Sequence, residues 1–368
     1  MKKMINLLIL MSSISLLAGC NKNKESNFTD LLGREVKVNL NKVDRVICLG
    51  AGALRMYSYI GDIDKLVGIE KIDKEPFGVG TALRPYYHVN KEKFKELPLC
   101  GEGGPKAQAP EMERIASCEP NIIISLYTSK DVNDNLANTL GVPVIALSQG
   151  KEALFSEEVK KSFTLLGKIF NKEKRAEELN SYIETSKKEF EKLEKTTETY
   201  YAGCIGNWGS TNLYGSYKNF PVFEGAKVNN VVDSLSDLVS YKQVQIDKEK
   251  LLELNPDRIF VDGAGFASFL SDYKEHKSDY EPLNAIANKE VYALLPYNAY
   301  YTNLEIQLIS TYYVASVAHP ASFVEFDIAK KADEITTKFL GKAIYNEMKE
   351  YNTAIGGYQK LDLDSLIA

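Results

Sequence analysis

The chain has 368 residues, of which 44% are hydrophobic and 26% charged, and its formal net charge is −5. This balance is typical of a globular protein of about two domains and excludes a disordered chain, collagen and a polytopic membrane protein. The acidic balance argues against a nucleic-acid partner, because such proteins carry basic patches. Only three residues are His and seven are Arg, so a His-based metal cluster is not expected.

The first residues have the pattern of a secretory leader. Lys2 and Lys3 precede a mostly apolar run at 7–17, which is too short to span a bilayer but suits a signal peptide. The sequence Leu-Ala-Gly-Cys at 17–20 is similar to a bacterial lipobox. This resemblance implies cleavage before Cys20 and lipidation of that residue, and an ordinary signal peptide with an incidental cysteine is the alternative.

An α/β pattern begins at residue 35. The sequence predicts a short edge strand at 35–40, a buried strand at 45–49, a glycine turn and a helix at 54–60, followed by a strand at 65–70. A strand, helix and strand in so few residues form a βαβ unit, which implies parallel pairing.

A weak internal repeat relates the two halves of the chain. Glu113 lies seven residues before Pro120, and Glu249 lies seven residues before Pro256. In both copies the Glu lies on a short predicted helix and a buried strand follows the Pro. The matched spacing favours two similar α/β halves.

A helical region separates the halves. Ser156 is predicted to cap a first helix, Asn171 to end it, and 173–195 to form a long helix without Gly or Pro. A flexible linker would have been rich in Gly and Ser, so this connection is expected to be rigid.

These patterns define five segments and leave the cysteines open. They are a signal peptide at 1–19, a lipidated Cys and polar tether at 20–27, an N-terminal lobe at 28–155, a helical connection at 156–197, and a C-terminal lobe with terminal helices at 198–368. Disulfides are permitted but not predicted among Cys48, Cys100, Cys118 and Cys204.

One glycine-rich turn resembles a dinucleotide-binding fingerprint. Gly50 and Gly52 lie between a strand and a helix, and Glu70 ends the next strand. However, Arg55 occupies the third glycine position, where close packing of helix on strand leaves no room for a side chain. An NAD(P)-type enzyme is therefore a distant alternative. The turn is interpreted as an anion site made of backbone amides and Arg55, and a surface Arg remains the alternative.

Aromatic residues concentrate outside the periodic elements. Arg84 and Tyr86 lie in a segment at 70–99 with little periodicity, which is interpreted as a functional loop. Trp208 and Tyr214 lie in a glycine-rich loop after the first strand of the second half. A ring in such a loop suits a cleft wall, and core packing is the alternative.

A third aromatic loop runs from a strand end to a helix start. It contains Tyr297, Tyr300 and Tyr301, and Thr302 with Glu305 has the pattern of a capping box. Ligands of parallel sheets bind beyond the carboxyl ends of the strands, so this loop is a predicted ligand contact.

Taken together, the mature chain resembles the iron-complex (siderophore, haem and cobalamin) substrate-binding lipoproteins of ABC importers. The lipobox, the opening DLLGREV at 30–36, the strand RVI at 45–47, both Glu-to-Pro repeats and the rigid helix carry this resemblance. It implies an α/β fold of two Rossmann-like lobes with mainly parallel sheets, joined by one long rigid helix, with the ligand cleft between them. No GxSxG, HExxH or Walker motif is present, and no enzymatic activity is expected.

The family implies a ligand but does not specify it. Anionic, aromatic ferric siderophores suit guanidinium groups and stacked rings, so an Fe(III) chelate is predicted, with no resident cofactor and no directly bound metal. Molybdate or tungstate, haem and a corrinoid are the alternatives. The predicted substrate-binding residues are Arg55, Arg84, Tyr86, Trp208, Tyr214, Tyr297, Tyr300 and Tyr301.

The resemblance also implies partners and a location. It places Glu113 and Glu249 against an ABC permease dimer with its ATPase, although an acid in the first turn of a helix is also favoured by the helix dipole. The expected partners are a small-molecule iron complex, that permease, and the membrane through the lipid anchor alone. We expect a monomer that is extracytoplasmic and lipid-anchored.

Overall fold

A computed structural model describes residues 24–75, 84–104, 110–206, 212–351 and 356–368. Within these ranges the strands are β1 (Glu25–Thr29), β2 (Glu35–Asn39), β3 (Val46–Leu49), β4 (Ile69–Glu70), β5 (Leu99–Gly101), β6 (Ile122–Ser125), β7 (Val144–Ala146), β8 (Thr199–Gly203), β9 (Gly215–Lys218), β10 (Asn229–Asn230), β11 (Lys242–Gln245), β12 (Arg258–Asp262), β13 (Val291–Leu294), β14 (Asn298–Ala299), β15 (Tyr301–Thr302) and β16 (Gln359–Lys360).

The α-helices of the same ranges connect these strands. They are α1 (Ala53–Ile60), α2 (Lys71–Lys74), α3 (Pro85–Glu96), α4 (Met112–Ser117), α5 (Lys130–Leu140), α6 (Glu157–Phe170), α7 (Glu173–Phe190), α8 (Pro221–Gly225), α9 (Lys248–Leu254), α10 (Phe266–Glu275), α11 (Lys277–Tyr280), α12 (Asn284–Ala287), α13 (Leu304–Ala318), α14 (Ile328–Leu340), α15 (Tyr345–Tyr351) and α16 (Leu363–Ile367). No helix of the described ranges is both long and apolar enough to cross a bilayer.

Two sheets organise two lobes. In the first lobe, β3, β6 and β7 are parallel in that order, and Val46 forms a parallel bridge to Leu66 just before β4. In the second, the order is β10–β8–β12–β13–β16, parallel except for the edge strand β16. Strands β3 and β6 are buried along their whole length, as expected of parallel strands covered on both faces. The predicted fold class is confirmed.

The two lobes share one hydrogen-bonding arrangement, at the residues that follow Pro120 and Pro256. Asn121 Oδ1 accepts from the Arg45 amide (3.1 Å), and the Asn121 amide donates to the Arg45 carbonyl (2.9 Å). In the second lobe Asp257 Oδ2 accepts from the Thr199 amide (2.8 Å), and the Asp257 amide donates to the Thr199 carbonyl (3.0 Å). The predicted repeat therefore corresponds to equivalent structure, in which each lobe fixes its first and second core strands side by side.

The helical connection is a hairpin of α6 and α7. Ser156 caps α6 by accepting from the Val159 amide, and Asn171 ends it in the left-handed conformation, as predicted. Helix α7 is shorter than the predicted 173–195, because it ends at Phe190; its 18 residues span about 27 Å. It buries one stripe that includes Ala176.

Helix α13 lies at the centre of the molecule. Its residues are buried without interruption over 304–315, so no face of this stretch is exposed to solvent. The predicted capping box is wrong: Asn303 is the N-cap and makes no side-chain cap bond. Glu305 is instead buried and accepts a hydrogen bond from the Tyr59 hydroxyl (2.5 Å), because the helix start is covered by the first lobe.

Two predicted irregular segments contain regular structure. The segment 70–99 includes α2 and the twelve-residue α3, which begins with Pro85 at its first position, where proline is favoured. Few α3 residues are buried, which explains the weak periodicity. The predicted tether at 20–27 is shorter, because Glu25 to Asn27 belong to β1 and pair with β2.

Candidate functional site

The two lobes meet at the carboxyl ends of their strands. The turn after β3 carries Gly50 and Gly52, and the β14–β15 hairpin after β13 lies against it. A Cβ placed on Gly52 would lie 3.1 Å from the Tyr301 Cβ, and Gly52 has a φ of +86°. Glycine is therefore required here both for its backbone conformation and for the close approach of the hairpin.

The Arg55 side chain is fully buried and joins the lobes. It projects from α1, and its Nη1 donates to the carbonyls of Tyr301 (2.9 Å) and Thr302 (3.0 Å). Its Nη2 donates to the carbonyl of Ala299 (3.2 Å). Three hairpin carbonyls thus hold the two Nη atoms, and direct contact between Arg55 and a ligand stays a prediction.

Arg84, at the start of α3, is 1% exposed and only half satisfied. Its Nη1 donates to the Ile72 carbonyl (2.5 Å) and the Tyr86 hydroxyl (3.3 Å), and lies 3.4 Å from Asp73 Oδ1. Its Nε and Nη2 are buried and have no partner among the described residues. Those two N–H groups form one edge of the guanidinium, the edge that binds a carboxylate or a similar anion in a bidentate manner.

Tyrosine rings surround the two guanidinium groups. The Tyr86 ring centroid lies 5.2 Å from the Arg55 guanidinium carbon and 5.7 Å from that of Arg84, which is also 5.7 Å from the Tyr87 ring. Burial raises the pKa of Tyr300, and the Arg84 charge partly offsets that rise. The structure therefore brings together five predicted site residues: Arg55, Arg84, Tyr86, Tyr300 and Tyr301.

The Glu70 side chain is hydrogen-bonded to the glycine turn after β3. Its Oε2 accepts from the Gly50 amide (3.0 Å), and the Ala53 amide donates to the Gly50 carbonyl. These contacts satisfy amides that the predicted anion site would have offered to a ligand. Burial, together with repulsion from Asp73, raises the pKa of Glu70 to about 8.

Other predicted residues lie elsewhere. Tyr297 is buried in the second lobe against Phe220 (4.9 Å between ring centroids). The Tyr214 hydroxyl lies 3.3 Å from that of Tyr280, in the core of the same lobe. The structure does not bring these two tyrosines to Arg84, and Trp208 lies outside the described residues.

The two predicted docking residues hold equivalent positions. Glu113 lies in the first turn of α4 and Glu249 in the first turn of α9, and both are exposed. Each helix leads into the central strand of its lobe, β6 or β12.

Sequence reasoning missed Asp73 and Tyr127. Asp73 pairs with Arg84, and no motif marked it. The Tyr127 hydroxyl lowers the pKa of Glu70 by hydrogen bonding, and its position just after β6 was a usable signal, because ligands gather beyond strand ends.

The described residues contain no group of three or more His, Cys, Asp or Glu side chains that could hold a metal ion. The four cysteines of the described ranges are buried free thiols, and burial raises the pKa of Cys48 and Cys204. These thiols are therefore protonated and packed as small core residues.

A two-lobed fold with a polar site at facing strand ends is that of a solute-binding protein. The model of the periplasmic binding protein family matches residues 46–297, and the chain belongs to this family. Its members bind solutes for ABC transporters and are not enzymes. No curated protein sequence matches the chain.

Solved structures share the fold at low sequence identity. A periplasmic solute binding protein from Veillonella parvula has a TM-score of 0.70 and 17% identity, covering 90% of this chain and 98% of that one. FepB from Veillonella parvula has a TM-score of 0.66 and 19% identity, covering 86% of this chain and 97% of that one. Molybdate-bound MolA from Haemophilus influenzae has a TM-score of 0.63 and 16% identity, covering 86% of this chain and 98% of that one.

The raised pKa of Glu70 predicts a pH-dependent stability. Between about pH 5 and pH 8 the folded chain keeps a proton on Glu70 that the unfolded chain has released, so the free energy of unfolding falls as pH rises. Glu70→Gln should flatten this dependence, as measured by urea unfolding at pH 5 and pH 8. The exposed Glu113→Gln is the control; an unchanged pH dependence in Glu70→Gln would contradict the assignment.

Proposed function

We propose that the chain is an extracytoplasmic lipoprotein that captures a ferric chelate of the siderophore type and delivers it to an ABC permease. The observation that carries the proposal is the half-satisfied Arg84. A buried guanidinium whose Nε and Nη2 lack partners among the described residues leaves donors unsatisfied at substantial free-energy cost, unless a ligand supplies the acceptors.

The surroundings of Arg84 favour a rigid, anionic and aromatic ligand. Its Nη1 is fixed by the Ile72 carbonyl and Tyr86, so the free edge is held in one orientation before a ligand arrives. The Tyr87 ring centroid lies 5.7 Å from the Arg84 guanidinium carbon, and Tyr300 is near enough for the Arg84 charge to offset part of the rise that burial causes in its pKa. Carboxylate or catecholate oxygens can accept from the free edge while a chelator ring packs on a phenol.

An oxyanion such as molybdate could use the same edge, and haem could use a tyrosine as axial ligand. A bare oxyanion would leave the phenols without a role, which is why the ferric chelate is preferred.

The binding test compares ligand classes directly. Fe(III) complexes of a tris-catecholate, a tris-hydroxamate and citrate, with haem and molybdate, would be titrated while intrinsic fluorescence is followed. We expect a ferric chelate to bind with a micromolar Kd or tighter. Arg84→Lys should weaken binding by about 1.5–3 kcal/mol, the scale of a lost charge-assisted hydrogen bond.

Arg175→Lys is the matched control for that test. Arg175 also donates to backbone carbonyls, those of Tyr59 and Phe339 (both 2.9 Å), and none of its hydrogen bonds to described residues goes to Arg84, Tyr86 or Tyr87. Tight binding of molybdate together with no binding of any ferric chelate or haem would replace the proposed ligand.

The membrane anchor is tested at Cys20. If lipid is attached there, Cys20→Ala should move the protein from the membrane fraction to the soluble fraction and abolish incorporation of labelled palmitate. Because one acyl chain with a second signal suffices for stable anchoring, no spanning helix is needed. Retention of the variant in membranes after a high-salt wash would refute the anchor.

The docking role is tested with Glu113→Gln and Glu249→Gln combined. Exposed rim charges act mainly on encounter and are screened by salt. We therefore expect unchanged ligand affinity but lower ligand-stimulated ATPase activity and uptake at low salt, with the difference from the parent shrinking as salt rises. Normal uptake at equal protein level would leave these acids with only their helix-terminal role.

A further inference from the structure

We infer that Arg55 is a positioning residue, which sets the place of the β14–β15 hairpin and thereby of Tyr300 and Tyr301 in the ligand site. This inference rests on the proposed function for its consequence in binding. The contact itself, in which Arg55 of the first lobe holds a hairpin of the second lobe, does not depend on which ligand binds.

The hydrogen bonds that Arg55 makes with described residues all run from one lobe to the other. Within the described part of the chain, its hydrogen bonds go to carbonyls of the hairpin, at Ala299, Tyr301 and Thr302. The donor and acceptors are 244 to 247 residues apart in the chain. One side chain of the first lobe therefore binds three backbone carbonyls of a second-lobe hairpin.

The hairpin is too short to define its own position. Strands β14 and β15 have two residues each, and isolated two-stranded hairpins are marginal even when longer. Tyr300, at the tip, has a φ of +69°, a conformation that a non-glycine residue keeps only when its surroundings determine it.

A second contact with the hairpin comes from the same lobe. Gly52 lies directly under Tyr301, and a Cβ placed on this glycine would lie 3.1 Å from the Tyr301 Cβ. Arg55 thus holds the hairpin backbone while the glycine turn limits how near the Tyr301 side chain can come. Both contacts arise from the turn and first helix after β3.

The charge of Arg55 has an effect that is distinct from the hydrogen bonds of its guanidinium group. Arg55 also faces Glu305, whose pKa is raised by burial and lowered in part by the Arg55 charge. A lysine at this position would keep the positive charge but could not donate to three carbonyls from one planar group. Arg55→Lys therefore separates the geometry of the grip from its charge.

The test measures the ligand-free hairpin first. Hydrogen exchange of a peptide covering 298–303 should be faster in Arg55→Lys than in the parent and in Arg175→Lys, which loses comparable carbonyl contacts away from the hairpin. Gly52→Ala should also raise exchange there. Gly33→Ala is its control, because Gly33 has a φ of +72° but nothing within 4 Å of the added methyl.

The second measurement uses the Fe(III) complex of the panel that the parent binds most tightly. Arg55→Lys should raise its Kd about tenfold at a thermal midpoint similar to that of Arg175→Lys. In a Tyr300→Ala background the same substitution should have little further effect, because the two changes act through one element.

The outcomes are separable. Unchanged exchange at 298–303 in Arg55→Lys would overturn the positioning role whatever the ligand is. Fully additive effects of Arg55→Lys and Tyr300→Ala would also overturn it. Faster exchange in Arg55→Lys, with no panel member bound by the parent, would support the grip on the hairpin and refute the proposed ligand class instead.

Discussion

A guanidinium buried between two lobes needs acceptors, because a buried charge without partners costs several kcal/mol. Arg55 finds them in three backbone carbonyls of the opposite lobe. The hairpin that carries these carbonyls also packs Tyr301 on Gly52 and is followed directly by the buried start of α13. The candidate site therefore lies at an internal junction between the lobes, and the hairpin that carries Tyr300 and Tyr301 is part of that junction.

Two arginines are buried near this junction, and the buried carboxyl groups around them have raised pKa values. Arg55 and Arg84 are both buried, while burial raises the pKa of Glu70 and of Glu305. Among the described residues Asp73 alone pairs closely with one of these two guanidinium groups, and burial raises the pKa of Asp73 as well, although the Arg84 charge partly offsets that rise. Arg84 Nε and Nη2 have no partner among the described residues, and the proposed anionic ligand would supply their acceptors.

The sequence predicted the architecture well, for physical reasons. Buried parallel strands are continuous apolar runs, and the Glu-to-Pro spacing marked equivalent helices before β6 and β12. The site was predicted only in part. Arg84 and the tyrosines of the hairpin could be singled out as candidates because they lie in segments without periodicity, but Asp73 carried no local pattern. The partners of Arg55 could not be predicted, because carbonyls carry no sequence signal and lie 244 to 247 residues away.

The error at Thr302 and Glu305 has a similar cause. A capping-box pattern reports local competition for backbone amides, whereas tertiary burial of Glu305 against Tyr59 decided the side-chain contact. The helix at 85–96 was not predicted because three residues on it are buried, too few to produce a periodic signal.

A contact between the first lobe and a helix near the end of the chain affects the order in which the chain can fold. Helix α14, which follows α13, packs its Phe339 ring edge-on against Tyr59 of the first lobe (5.2 Å between centroids). The core of the earliest lobe is thus completed by residues near the end of the chain. Such long-range closure slows folding. The core of the first lobe therefore stays incomplete until residues near 339 are available to pack against Tyr59.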